Sequence, residues 1–478
     1  QMNLFKDMVC YQEEVRDPSR MAEVLNRVIE KAIRGSAPAQ INVPRDFWTQ
    51  VIDIELPPIV RFERQGGGKE AIDKAAKLLS KAKFPVILSG AGVVIGGAID
   101  ECKKLAEKLD SPVCSGYQHN DSFPGSHPLA AGPLGYNGSK AAMELISKAD
   151  VVLALGTRLN PFSTLPSYGI DYWPKKASII QVDINPDRIG LTKKVTVGIC
   201  GDAKLVTQQI IEKLSSDAGN SGREERKNLI HKTKSSWLQT LTSLDHEEDD
   251  PGTVWNKEAR ERDKNRMSPR QAWRAIQVGM PEDVIISSDI GNNCAIGNAY
   301  PTFEKGRKYL APGLFGPCGY GFPSILGAKI GCPNTPVIGF AGDGAFGISM
   351  NEMSSCARKE WPPITMVIFR NYQWGAEKRN SILWYDNNFI GTELDPELSY
   401  AKVANACGLK GVTVKTMEET TEAIKKSCED QKKNITTFIE VILNQELGEP
   451  FRRDAMKKPV KVNGIDKADM RPQKSLNG

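Results

Sequence analysis

The chain has 478 residues, 40% of them hydrophobic, enough for several sizeable cores in about three domains of roughly 150 residues. A net charge of +5 from 63 basic and 58 acidic residues points to neither a nucleic-acid stripe nor a membrane patch. Ten cysteines without a C-x-x-C pair or a Cys/His cluster disfavour zinc and a disulfide framework. No apolar run approaches the roughly 20 residues that span a bilayer, and a cytosolic location is expected.

The first block, residues 1–50, carries a helical pattern in SRMAEVLNRVIEKAIRG, stopped at Gly35, then a short strand in QINVP. A Pro-rich connector over 51–65 leads into Gly66, Gly67 and Gly68, a linker composition. Residues 66–214 alternate apolar strands and helices: PVILSGAG, a helix through IDECKKLAEKLD, PVCSG, a helix around AAMELISKAD, VVLALGTRL and SIIQVDINP. This is a doubly wound, Rossmann-like α/β pattern. Ser89-Gly90-Ala91-Gly92 does not complete G-x-G-x-x-G, because Ile95 holds the last place, and Asp183 lies far outside the ribose-binding interval of about 20 residues. A Rossmann-like domain without nucleotide is the expectation. Residues 215–266 turn polar and charged, with DHEEDD at 245–250, and read as a surface linker.

The third block, 267–478, holds the chemistry. PVIGFA delivers Gly342-Asp343-Gly344, ISMNEMSSCARKE has the length of a helix, and ITMVIF delivers Arg370 and Asn371. Two parallel strands joined by a helix bring their carboxyl ends to one sheet edge. A carboxylate and an amide oxygen there, completed by a backbone carbonyl and phosphate oxygens, suit Mg²⁺, while Gly342 and Gly344 leave room for phosphates. DVIISSDIGNN runs a strand into Asp289, Gly291 and Asn292, and LFGPCGYGFPSILGAKIG is a Gly-rich turn entering a helix. The expected metal ligands are Asp343, Asn371 and Gln373. The expected cofactor-binding set is Gly291, Asn292, Gly316, Cys318, Gly342, Asp343, Gly344, Ala345, Asn371, Gln373 and Gly375.

Gly-Asp-Gly followed by a strand ending in Asn371 resembles the signature of thiamine diphosphate (ThDP) enzymes, in which Asn-Asn closes the motif; Arg370 replaces the first Asn. The stretch from GYQHNDSFPGSHP to GIDYWP, with FGPCGYGFPSILGAKIG, AGDGAFGISMNEM, FRNYQWGAEKRN and NQELGEPFRRDAMKKPV, extends the resemblance through nearly the whole chain. These segments resemble one branch of the acetolactate synthase-like family. That resemblance implies phosphate-dependent cleavage of 2-sulfoacetaldehyde to acetyl phosphate and sulfite, with ThDP and Mg²⁺ and without a redox partner. It further implies turns that hold the diphosphate and aminopyrimidine, with Cys318 where many relatives carry Met, and a homodimer or homotetramer.

Holding a sulfonate and a phosphate calls for basic groups, and Lys378, Arg379, Arg452 and Arg453 are the candidates. His119 is the candidate catalytic imidazole, beside Gln118 and Asn120 at the mouth of a site, whereas His127 reads as structural. Residues 37–44, APAQINVP, resemble the last strand of the family's pyrimidine-binding domain, whose glutamate generates the cofactor carbanion. Glu13, Glu14, Glu23 and Glu30 all fall after its expected position. The expectation is therefore a truncated chain with exposed apolar surface, low solubility and low turnover. A pyruvate-directed carboligase or decarboxylase and a non-catalytic scaffold remain the alternatives.

Overall fold

The computed structural model describes residues 1–58, 63–168, 170–246, 263–313, 315–358, 360–384 and 388–445. The strands are β1 (Tyr11–Glu14), β2 (Ala39–Asn42), β3 (Pro85–Ser89), β4 (Val113–Ser115), β5 (Ala130–Pro133), β6 (Val151–Leu155), β7 (Ser178–Asp183), β8 (Val197–Cys200), β9 (Ile285–Ser288), β10 (Tyr309–Leu310), β11 (Val337–Gly342), β12 (Thr365–Arg370), β13 (Lys410–Val414) and β14 (Thr437–Ile442). They form three parallel sheets: β1-β2, β5-β4-β3-β6-β7-β8 and β10-β9-β11-β12-β14-β13.

The small first sheet packs on the helix Met21–Gly35, whose Val24 and Val28 join Val15 in a compact cluster. Leu25, Ile29 and Ile33 line another face of that helix and are exposed. Ser36, rather than a glycine, takes the left-handed cap.

The central sheet has the doubly wound order expected from sequence. Its switch point lies between β3 and β6, and there two turns press together. A Cβ on Gly92 would stand 2.6 Å from the Gly156 Cα. Close backbone approach thus accounts for the glycine after β3 without any bound nucleotide. The strands β5 and β8, and the helices Lys69–Lys81 and Ala203–Lys213, carry weaker patterns and were not among the elements expected from sequence.

In the third sheet strand alternation sorts side chains into two cores. From β12, Met366 and Ile368 enter one core with Phe322, Phe346 and Phe438, while Val367 and Phe369 enter the other with Trp273, Ile276 and Phe340. Burial of both faces is the condition of a parallel sheet covered by helices.

The stretch expected to be a surface linker contains the 24-residue helix Arg223–His246. Arg226, Ile230, Thr233, Trp237 and Leu241 are buried on one face, a period of 3.6. Ile230 belongs to the core of the central sheet, whereas Trp237 and Leu241 belong to a core of the third. Two of the five inward positions are polar, which hides the stripe from a hydrophobicity reading. The Arg226 guanidinium makes the polar residue fit, donating to the carbonyls of Lys83, Leu109, Asp110, Gly219 and Ser221 at 2.6–2.9 Å.

The central and third sheets also meet through a polar seam. Asn120 Nδ2 donates to the Asn298 and Pro301 carbonyls, the Gln118 N–H donates to Asn298 Oδ1, and the Asp121 carboxylate accepts the Lys308 and Tyr309 N–H groups. Among the described residues no helix is long and apolar enough to cross a membrane.

Candidate active site

The ends of β9, β11 and β12 open on the same edge of the third sheet, beside the switch between β9 and β11. There a crevice of about 50 Å³ is lined by Gly291, Asn292, Cys318, Gly342, Asp343, Gly344, Ala345, Asn371, Gln373 and Gly375. The parallel register of β11 on β12, with Gly342 opposite Phe369, is what brings the Asp343 and Asn371 ends together. A larger cavity of about 760 Å³ lies under the helix Arg223–His246, walled by residues such as Leu129, Ile230, Trp237 and Tyr300. It shares no residue with the crevice and offers mostly apolar walls, so the convergent polar groups mark the crevice as the site of chemistry.

Asp343 and Asn371 are both almost wholly buried. The Asp343 carboxylate accepts Arg370 Nη1 at 3.0 Å and the Tyr372 N–H at 2.7 Å on Oδ2, and the Gly344 N–H at 3.0 Å on Oδ1. Tyr372 reaches it from a left-handed conformation, φ 61°. Burial pushes the Asp343 carboxyl up to about 6 against the pull of Arg370 and these amides. A cation in the crevice would oppose that burial cost.

Two further observations fit a metal-bound diphosphate. Gln373 Oε1 and Asn293 Oδ1 are buried crevice oxygens with no hydrogen-bond partner among the described residues, and each keeps acceptor capacity for a bound group. A Cβ added to Gly291 or Gly342 would meet no heavy atom within 4 Å, so both glycines border space that a ligand can use. Gly291 also needs to be glycine, with φ 124°. Gly344 has a different reason: the Trp374 ring lies 2.8 Å from where its Cβ would be.

Asp289 organises the neighbouring turn. Its Oδ1 accepts the Ile290 and Gly319 N–H groups and its Oδ2 the Gly321 N–H at 2.7 Å, which fixes the chain just after Cys318. Cys318 is partly buried, and burial, then Asp289 and Glu377, raises its thiol. That is the opposite of an activated thiolate.

Other expected residues lie elsewhere. Gly316 stands outside the crevice, with Ile290 beside its open face, because the turn enters the site only at Cys318. Lys378 is buried, paired with Glu393 and in contact with Gln445, and Arg379 is buried beside it; neither lines the crevice. Their helix Gly375–Trp384 does start there. Arg452 and Arg453 lie outside the described residues. His119 sits at the turn after β4, its imidazole held below the ordinary value by burial and Arg158 against the pull of Asp121, and outside the crevice. His127 bonds Glu107 and the Leu129 N–H, a structural placement. Trp374, Glu377 and Asn293 line the crevice and were not singled out from sequence, although each adjoins a motif that was.

Two family models match the chain: the thiamine pyrophosphate enzyme central domain over residues 72–210 and the C-terminal TPP-binding domain over 289–441. The chain is 77% identical over 476 residues to a probable sulfoacetaldehyde acetyltransferase of Rhizobium meliloti (strain 1021), covering 100% of this chain and 80% of that protein. It is 72% identical to the sulfoacetaldehyde acetyltransferase of Roseovarius nubinhibens, covering 99% and 78%. A probable acetolactate synthase large subunit of Methanococcus aeolicus is 28% identical, covering 89% and 71%.

Proposed function

The chain belongs to the thiamine pyrophosphate enzymes, among the sulfoacetaldehyde acetyltransferases, and from that premise we propose that it binds ThDP through Mg²⁺ in the crevice and converts 2-sulfoacetaldehyde and phosphate to acetyl phosphate and sulfite. The observation that carries the cofactor reading is the convergence of Asp343, Asn371 and the partnerless Gln373 oxygen at one sheet edge. These would hold the metal, with a metal-bridged diphosphate against Gly342, Gly344 and Gly291. The substrate reading rests on high identity to relatives bearing that name, against 28% for an acetolactate synthase.

When bound, ThDP supplies a nucleophilic carbon and an electron sink. The overall reaction needs no outside oxidant. The carbon–sulfur bond breaks with its electron pair leaving on sulfite, the methylene carbon gains a proton to become methyl, and the aldehyde carbon reaches the acyl level and passes to phosphate. The chain's own part is to fix the cation through Asp343, to exclude water with the buried walls of the crevice, and to hold two anions. Arg452 and Arg453 are the candidates for holding the anions, because Lys378 and Arg379 do not line the crevice and Lys378 is already paired with Glu393. Assembly into a homodimer or homotetramer belongs to the same reading.

The test is to measure sulfite and acetyl phosphate from 2-sulfoacetaldehyde with phosphate, ThDP and Mg²⁺, omitting each in turn. Equal yields of both products that vanish with any omission are expected. Consumption of pyruvate without phosphate dependence would replace this reading with that of a carboligase or decarboxylase.

A further inference from the structure

We propose that Arg370 is a positioning residue that makes Asp343 a one-oxygen ligand and so tunes the cation site toward Mg²⁺ and against Ca²⁺. The inference rests on the cofactor reading above. Both acceptor positions of Asp343 Oδ2 are occupied, by Arg370 Nη1 at 3.0 Å and by the Tyr372 N–H at 2.7 Å. Among the described residues Oδ1 accepts only the Gly344 N–H and keeps one lone pair for a metal.

Arg370 is itself held at both terminal nitrogens, while its Nε has no hydrogen-bond partner among the described residues. Its Nη2 donates to the carbonyls of Asp395 and Leu398, and its Nε faces Glu440 Oε1 at 3.8 Å. The guanidinium carbon lies 4.2 Å from the Tyr372 ring centroid and 5.5 Å from that of Tyr400. Glu440 is fixed in turn by Ser399, Thr413 and the Tyr400 N–H, and the Tyr400 hydroxyl donates to the Asp343 carbonyl at 2.8 Å. Arg370 and Asp343 are each 1% exposed, so solvent does not compete for the clamped oxygen.

Mg²⁺ takes six oxygens in near-ideal octahedral geometry and is satisfied by a single carboxylate oxygen, whereas Ca²⁺ takes six to eight and gains from a bidentate carboxylate. With Oδ2 committed to Arg370, that bidentate grip is closed. The charge of Arg370 opposes both divalent ions alike, so it cancels in the ratio of their affinities, and the blocked oxygen does not. A lysine keeps the charge as a compact point but lacks the planar fork that meets Asp343 through Nη1 and the Asp395 and Leu398 carbonyls through Nη2.

The experiment titrates Mg²⁺ and Ca²⁺ into the protein at saturating ThDP, following tryptophan fluorescence, to which Trp374 in the crevice wall contributes. It compares the natural chain with R370K, which keeps the buried charge, and with R370N/E440Q, which removes both charges so that neither is left unpaired. The expected result is a shift of the affinity ratio toward Ca²⁺ by about tenfold in R370N/E440Q and by less in R370K. A ratio unchanged in R370N/E440Q overturns the proposal, even where both affinities fall together, because a merely structural role weakens both ions in parallel. A natural chain whose ThDP binding ignores both ions overturns the cofactor reading and this inference with it.

Discussion

Gly342→Ala separates the cost of a site from the cost of a fold. Gly342 sits at φ −69° and ψ 158°, a conformation open to any residue, and an added Cβ would meet nothing within 4 Å. Loss of the glycine's freedom in the unfolded chain stabilises by about 0.4–1 kcal/mol. Alanine in place of glycine at a helix N-cap costs a similar amount, so stability should stay within about 0.5 kcal/mol of the natural chain. Binding should not. Gly342 lines a crevice of only about 50 Å³, and a methyl group on it takes space that the ligand would use. Overpacking of about 1–3 kcal/mol corresponds to a ThDP affinity lower by roughly 5- to 150-fold. Calorimetric titration of ThDP with Mg²⁺, alongside thermal denaturation, reads both quantities. Natural affinity in a normally folded G342A protein would refute the placement of the diphosphate. Gly344→Ala is the internal contrast, since its Cβ strikes the Trp374 ring and should lower stability and binding together.

Two predictions concern the scaffold. Arg226→Met strands five carbonyl acceptors and should destabilise the helix Arg223–His246 by about 3 kcal/mol or more, seen as faster amide exchange there; a loss under about 1 kcal/mol would contradict the anchoring role. Glu13 is held at about 2 by its hydrogen bonds to Arg27 and then Tyr11. A depressed carboxyl stabilises above its unfolded value of 4.5 and loses that contribution as pH falls from there toward 2. Amide exchange across residues 11–42 should therefore quicken over that window, and R27A should flatten the dependence; no difference between the two would dismiss the pair as a contributor.

What could be read from the sequence follows the strength of the local signal. Strands such as VVLAL and TMVIFR are buried on both faces and announce themselves as continuous apolar runs. Their order then places Asp343 beside Asn371 without further information. The strand Ala130–Pro133 contains glycine and proline and pairs through an irregular register, so its pattern is not that of a strand. The helix Arg223–His246 hides its inward face behind Arg226 and Thr233. Arg370 was visible as a departure from Asn-Asn, but its partner Asp343 lies across a strand-helix-strand crossover, and its carbonyl acceptors come from a loop at 395–398. Only the folded chain brings those groups to one guanidinium. Lys378 shows the converse: its charge suggested an anion site, and the fold gives it Glu393.

The most direct test of the site is calorimetric titration of ThDP into the natural chain and Asp343→Ala, each with and without Mg²⁺. Binding that requires Mg²⁺ in the natural chain and is lost in the variant is the predicted result. Binding that ignores Mg²⁺, or that survives loss of the Asp343 carboxylate, would contradict the account.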